Sequence, residues 1–274
     1  MEQKKITHID VEAVLKAKAP NKRVPKFLMN YLKKIVHQDE VNDFFVALYG
    51  KEDAEFMDGA LDRFEITRKI EGAENFPDKN DGKRYIFASN HPLGGMDGMV
   101  IGSMLGKRYN DKVKVFVNDI LMYLEPMQGM FLPINKHGGQ NRENAKMIDE
   151  FYQSDYHMVT FPAGACSRII KGVIQDFEWK KNFIIKAVKH QRDIVPIFFE
   201  GGNSKFYYNL SKWRSRLGIK INLEMLYLSD EMFKQRGKTF TLKIGKPIPW
   251  QTFDKSKTPT EWAAWVRETV YKMR

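Results

Sequence analysis

Residues 84–105 limit most sharply what this chain can fold into. Arg84-Tyr85-Ile86-Phe87-Ala88 is a short aromatic and aliphatic run that reads as a buried strand. Met99, Val100, Ile101, Met104 and Leu105 then recur at helical spacing and stop before Lys107 and Arg108. Between them lie Pro92, Gly94, Gly95 and Gly98, residues that permit a tight strand-to-helix turn. The alternation continues downstream. Strands are expected at 113–117, 158–161, 194–199 and 240–244, and helices at 142–153, 179–190 and 203–216, with Asn203 placed to cap the last of these. Thr260 followed by Glu261 opens a closing helix that runs to near Arg274. Such alternation predicts an α/β layered fold with a largely parallel central sheet flanked by helices.

The first turn sets a histidine and an aspartate close together, His91 and Asp97. A carboxylate that accepts a hydrogen bond from one imidazole nitrogen fixes the tautomer and leaves the other nitrogen free to draw a proton from an alcohol or amine. Strand-to-helix turns are where α/β proteins commonly carry such groups. A structural reading fits the pair equally well: His91 caps the turn and Asp97 favours a helix N-terminus.

Three later segments separate the two readings. They are Gly129-Met130-Phe131-Leu132-Pro133-Ile134-Asn135-Lys136, Phe161-Pro162-Ala163-Gly164-Ala165-Cys166-Ser167-Arg168 and Ile194-Val195-Pro196-Ile197. With the His91 to Asp97 turn they make four blocks in a fixed order, and in this they resemble the lysophospholipid and glycerol-phosphate acyltransferase family. The resemblance implies an acyltransferase of membrane lipid biosynthesis that moves a fatty acyl group from an acyl thioester to a lyso-lipid acceptor. It implies His91 as base and Asp97 as its orienting partner, with substrate binding by Asn135 and Lys136 in the second block and by Phe161, Pro162, Gly164, Ser167 and Arg168 in the third. Backbone donors around Gly164 and Ala165 would hold the oxyanion. The donor would be acyl-coenzyme A or acyl-acyl carrier protein, with no bound cofactor.

The chain departs from the family pattern at three points. Five residues, Pro92 to Met96, separate His91 from Asp97, where the family has four. On a helix the extra residue would rotate Asp97 by about 100°, whereas Gly94 and Gly95 can absorb it as a bulge. Ala163 stands where the family carries glutamate, and Lys136 where it carries arginine. Loss of a hydroxyl-accepting carboxylate, and of a forked donor, points to a different acceptor. One possibility is a lyso-lipid headed by an amino acid, glycine or ornithine, with Arg168 and Lys136 meeting its carboxylate. The alternatives are conventional acylation of 1-acylglycerol-3-phosphate, or a basic lipid-surface module without catalysis.

Composition narrows the classes further. The formal net charge of +11 calls for an anionic partner. Without zinc-finger spacing or an aromatic RNA-binding signature, nucleic acid has only the charge in its favour, so an anionic membrane surface and an acidic carrier protein are expected instead. The six histidines are scattered without metal-ligand spacing, so no metal site is expected. The single cysteine, Cys166, excludes an intrachain disulfide and leaves open a thiol nucleophile that would form an acyl-enzyme. No apolar run reaches the roughly 18 residues needed to span a bilayer. The first seven residues lack a signal-peptide core, which predicts a cytoplasmic protein, peripheral on the inner face of the cell membrane.

The chain reads as an N-terminal amphipathic helical platform over 1–70 and a catalytic domain over 71–274. Short helices are expected at 9–15, 26–37 and 39–49. The second sets Phe27, Leu28, Tyr31, Leu32 and Ile35 beside Lys26, Lys33 and Lys34. Such stripes can lie in a headgroup layer or pack on the catalytic core.

Overall fold

The computed structural model describes residues 8–18, 21, 23–134, 142–219 and 222–274. Its strands are β1 (Thr67–Glu71), β2 (Tyr85–Ser89), β3 (Val113–Asn118), β4 (Phe131–Ile134), β5 (His157–Thr160), β6 (Arg168–Ile170), β7 (Val173–Gln175), β8 (Asp193–Phe199) and β9 (Thr239–Ile244). Seven of them form one sheet in the order β1-β9-β8-β2-β5-β3-β4, while β6 and β7 pair as a separate antiparallel hairpin. Within the large sheet only β8 and β9 run antiparallel. All other neighbours are parallel, as the alternating pattern predicts.

The helices are α1 (Val11–Lys18), α2 (Lys26–Ile35), α3 (Gln38–Ala47), α4 (Asp53–Arg63), α5 (Gly95–Tyr109), α6 (Arg142–Gln153), α7 (Asn182–Lys189), α8 (Lys205–Arg216), α9 (Leu228–Phe233) and α10 (Pro259–Lys272). They cover both faces of the sheet. Because successive side chains on a strand point to opposite faces, β2 sends Tyr85 and Phe87 into one layer and Ile86 and Ala88 into the other. The first layer gathers Phe44 and Phe45 of α3, Met57 and Leu61 of α4 and Val100, Ile101 and Leu105 of α5. The second gathers Phe183 and Ile184 of α7 and Trp262, Val266 and Val270 of α10. Every residue of β2 and β8 is buried, which is why both read as unbroken apolar runs.

Pro196 sits inside β8 without costing a ladder bond. Pairing with β9 begins only at Ile197, and beyond it Ile194 bridges to Ile248.

Several elements differ from the sequence reading. Helix α4 and strands β1 and β4 had no local pattern strong enough to mark them, and the residue-70 boundary falls within β1. Helix α7 begins at Asn182 rather than 179. Ser204, not Asn203, caps α8, accepting from Tyr207 N, and Thr258, not Thr260, forms the capping box with Glu261 at α10. In both cases the capping side chain lies three residues before the amide it serves, which is the reach a short oxygen-bearing side chain has. Among the described residues, no helix is long and apolar enough to cross a membrane.

Candidate active site

Parallel pairing builds the site. Ala88 of β2 lies opposite Thr160 of β5 on one side and Pro196 of β8 on the other, so the chains leaving these strands emerge together at the carboxyl edge of the sheet. Ligand sites of open α/β sheets form at that edge. His91 leaves β2 here and its ring stacks on Phe161, which leaves β5, with centroids 4.1 Å apart and planes at 28°.

Asp97 lies in the first turn of α5 and is fully buried. Its Oδ2 accepts from Leu93 N at 3.0 Å and stands 3.1 Å from His91 Nδ1, while Oδ1 accepts from Gly98 N at 2.9 Å. A carboxylate only accepts, so Nδ1 is the donor and Nε2 is left to take a proton. The fifth intervening residue is absorbed at Gly94, the residue before the helix, which takes φ 86° and ψ −84°. A Cβ there would lie 2.9 Å from Cys166 Sγ and 3.1 Å from Leu228 Cδ2. Gly94 is therefore needed twice, for its backbone angle and for its lack of a side chain.

Burial alone would push the His91 imidazole down, but the Asp97 carboxylate and the neighbouring Cys166 sulfur outweigh it and hold His91 well above the usual histidine range. The His91 backbone is pinned as well. Its amide donates to Asp176 Oδ1 at 3.2 Å, and its carbonyl accepts from Ser167 N at 2.7 Å.

Asp176 joins these parts and no sequence motif marked it. Its Oδ1 also accepts from Ser167 Oγ at 2.5 Å, its Oδ2 accepts from Trp179 Nε1 at 2.9 Å, and its amide donates to the Tyr271 hydroxyl of α10 at 2.7 Å. Burial raises its carboxyl above the usual range, against the pull of Ser167, Trp179 and the His91 amide. The nearest signal in the sequence was the Asp176-to-Trp179 spacing, which carries no meaning until the fold brings His91 alongside.

The third block is placed as follows. Phe161 flanks the His91 ring, and Pro162 is buried with its carbonyl accepting from Lys180 N at 3.0 Å. Gly164 takes φ 68°, and its amide closes a turn onto the Phe161 carbonyl at 2.9 Å, so that amide is not turned toward an oxyanion. The amides of Ala165 and Cys166 make no backbone hydrogen bond among the described residues. Ser167 is buried and bonded to Asp176 rather than open to a ligand.

Arg168 is placed differently from the expected headgroup partner. Its Nε donates to Ser211 Oγ at 2.9 Å, one terminal nitrogen to the carbonyls of Cys166 and Ser167, and the other to Glu224 Oε1 at 2.8 Å. The guanidinium also packs 4.9 Å from the Tyr207 ring centroid. An arginine so enclosed orders the block from within. Lys180, which the sequence reading passed over, is exposed and stands over Gly164, where a Cβ would meet its Nζ at 3.2 Å. It pairs with no carboxylate among the described residues. Asn135 and Lys136 lie outside the described residues.

With this geometry in view, comparison with known proteins is direct. The chain matches the Acyltransferase family over residues 13–274 and belongs to it. It is 51% identical to a lyso-glycine lipid O-acyltransferase of Bacteroides thetaiotaomicron over 267 residues, covering 97% of each chain. It is 49% identical to a protein of the same name from Phocaeicola vulgatus, covering 97% of this chain and 95% of that one. Among solved structures it is similar to the 1-acyl-sn-glycerophosphate acyltransferase PlsC of Thermotoga maritima, at 16% identity and a TM-score of 0.48, covering 89% of this chain and 96% of that one. The protein is an acyltransferase.

Proposed function

We propose that the protein acylates the free hydroxyl of a lyso-amino-acid lipid, with a lyso-glycine lipid as acceptor and an acyl thioester as donor. One observation carries the reading: a chain aligned over 97% of its length with two lyso-glycine lipid O-acyltransferases also holds His91 Nδ1 3.1 Å from a buried Asp97. His91 Nε2 takes the hydroxyl proton as the oxygen attacks the thioester carbonyl carbon. The amides of Ala165 and Cys166 receive the developing oxyanion. The carbon–sulfur bond then breaks, the imidazolium returns its proton to the leaving thiolate, and an ester and a free thiol result.

The acceptor's carboxylate needs a cation. Arg168 is occupied by Glu224, and Lys180 above Gly164 takes that role in this reading. The donor is acyl-coenzyme A or acyl-acyl carrier protein, and the excess of basic side chains suits an acidic carrier and an anionic membrane face on the inner side of the cell membrane. Helices α1 and α2 serve as a basic platform beside the core.

Purified enzyme offered lyso-glycine lipid and lysophosphatidic acid with each donor tests this. Transfer to the glycine lipid, reduced about 100-fold or more in His91→Ala and Asp97→Asn, is expected. Efficient use of lysophosphatidic acid, or near-normal turnover in both variants, contradicts it. Cys166→Ala is expected to keep transfer. Its complete loss, together with an acyl-cysteine trapped in the wild type, would replace direct transfer by a two-step route.

A further inference from the structure

Helix α8 turns apolar side chains toward water. It buries Tyr207, Tyr208 and Ser211, while Phe206 is 48% exposed, Trp213 61% and Leu217, just past its end, 69%. Offsets of seven and eleven residues place these three within about 20° of one line along the helix. This is an ordered stripe rather than scattered exposure.

The stripe continues onto two neighbouring elements. Phe206 packs edge-on against Tyr227, ring centroids 5.0 Å apart, at the end of the 3₁₀ turn Leu223–Tyr227, whose Leu226 is 47% exposed. The Tyr227 hydroxyl meets that of Tyr31 at 2.5 Å, and Tyr31 lies one turn from Phe27 on α2, which is 77% exposed. Cations accompany the stripe: Lys205, Lys212 and Arg216 lie along one edge of it on α8, and Lys26 and Lys34 of α2 are exposed as well. Neither helix contains an aspartate or glutamate.

We propose that α8, the 223–227 turn and α2 form one docking face that seats the enzyme on the headgroup layer of an anionic lipid bilayer. Its apolar stripe enters the acyl boundary, and its basic residues meet the acidic headgroups. A protein partner of matching shape would satisfy the stripe, but two helices without a single acidic residue favour a surface of uniform negative charge. The face adjoins the active site through Glu224 of the turn, which pairs with Arg214 of α8 and with Arg168, whose guanidinium holds the Cys166 and Ser167 carbonyls. The proposal deepens the reading of a lyso-lipid acceptor by naming the surface through which the lipid arrives.

Sedimentation with vesicles of phosphatidylcholine alone, and of phosphatidylcholine with phosphatidylglycerol, tests it on the full chain. Wild type is expected to partition onto the anionic vesicles, and the Trp213→Ser, Leu217→Ser double variant to partition about tenfold or more weakly. Brominated lipid is expected to quench fluorescence in wild type and to lose most of that quenching in Trp213→Phe, a variant conservative enough to keep the fold. Unchanged partitioning of the double variant, or equal quenching in Trp213→Phe, overturns the proposal. So does a dimer in solution that Trp213→Ser dissociates, since a second copy would then cover the face. Activity toward lyso-glycine lipid in detergent micelles reads out separately. Its preservation in the double variant is expected, and its absence in wild type would fault the acyl-transfer reading while leaving vesicle binding to judge the face.

Discussion

His91 carries two pulls on its proton, and in the proposed mechanism their balance sets the pH at which transfer begins. Burial disfavours the imidazolium, yet the Asp97 carboxylate and Cys166 sulfur beside it overcome that cost. A base held above the ordinary histidine value of about 6.5 must lose its proton before it can act, so kcat/KM should rise with pH along a limb centred above that value. Asp97→Asn should shift the limb of the residual activity downward, and NMR titration of the His91 ring gives the same comparison without turnover. A limb at or below the ordinary value in wild type would contradict the pairing. For stability the sign is opposite. A raised histidine contributes fully below its unfolded value and loses that contribution as pH climbs through the folded one. Gly94 is the other residue on which the pair depends. Gly94→Ala places a methyl against Cys166 Sγ at a backbone angle L residues resist, costing about 1–3 kcal/mol. A lower melting temperature and at least a tenfold loss of transfer are expected, the second because Asp97 moves with the start of α5.

Elements were legible from sequence in proportion to how local their cause is. β2, β5 and β8 announce themselves as apolar runs, β3 and β9 as apolar residues alternating with polar ones, and α6 and α10 by helical spacing. β1 does not, because four of its five residues are exposed on the rim of the sheet and only its parallel pairing with β9 makes it a strand. α4 is hidden differently. Gly59 interrupts it and lets Leu48 pack close, where a Cβ would lie 2.6 Å from Leu48 Cδ2. The same helix carries Asp58, bonded to Arg68 of β1 at 2.6 Å, to Ser103 of α5 at 3.0 Å and to Lys107. Desolvation raises its carboxyl, but these partners more than offset that and bring it down to about 2. A depressed carboxylate stabilises the fold above its unfolded value and loses that effect as pH falls from about 4 to 2. Asp58→Asn should then cost about 2 kcal/mol at neutral pH by denaturant unfolding, and the difference from wild type should vanish near pH 2.

Across the whole molecule, the His91 and Asp97 pair was readable because its two residues share one turn, whereas its surroundings were not. Asp176 meets His91 across 85 residues and Tyr271 across 95, distances over which local spacing carries no information. The pairing of Arg168 with Glu224, 56 residues away, was equally out of reach of local spacing. Asp176→Ala should lower kcat at least tenfold with little change in the acceptor KM, because it frees the His91 backbone without touching Lys180. It should also move the pH limb, since Asp176 lies in contact with His91; a loss confined to folded yield, with an unchanged limb, would reduce the residue to a packing role.

The bond from Asp176 to the Tyr271 hydroxyl of α10 also has a consequence in time. Contacts that close long loops carry a closure entropy that local contacts do not, which slows their formation. The strands and helices are expected to assemble while the segment that fixes the His91 backbone is still unattached to the last helix, leaving a state folded by circular dichroism and chemically idle. Refolding from denaturant should therefore show helical signal returning before transfer activity, and Tyr271→Phe should lengthen that interval.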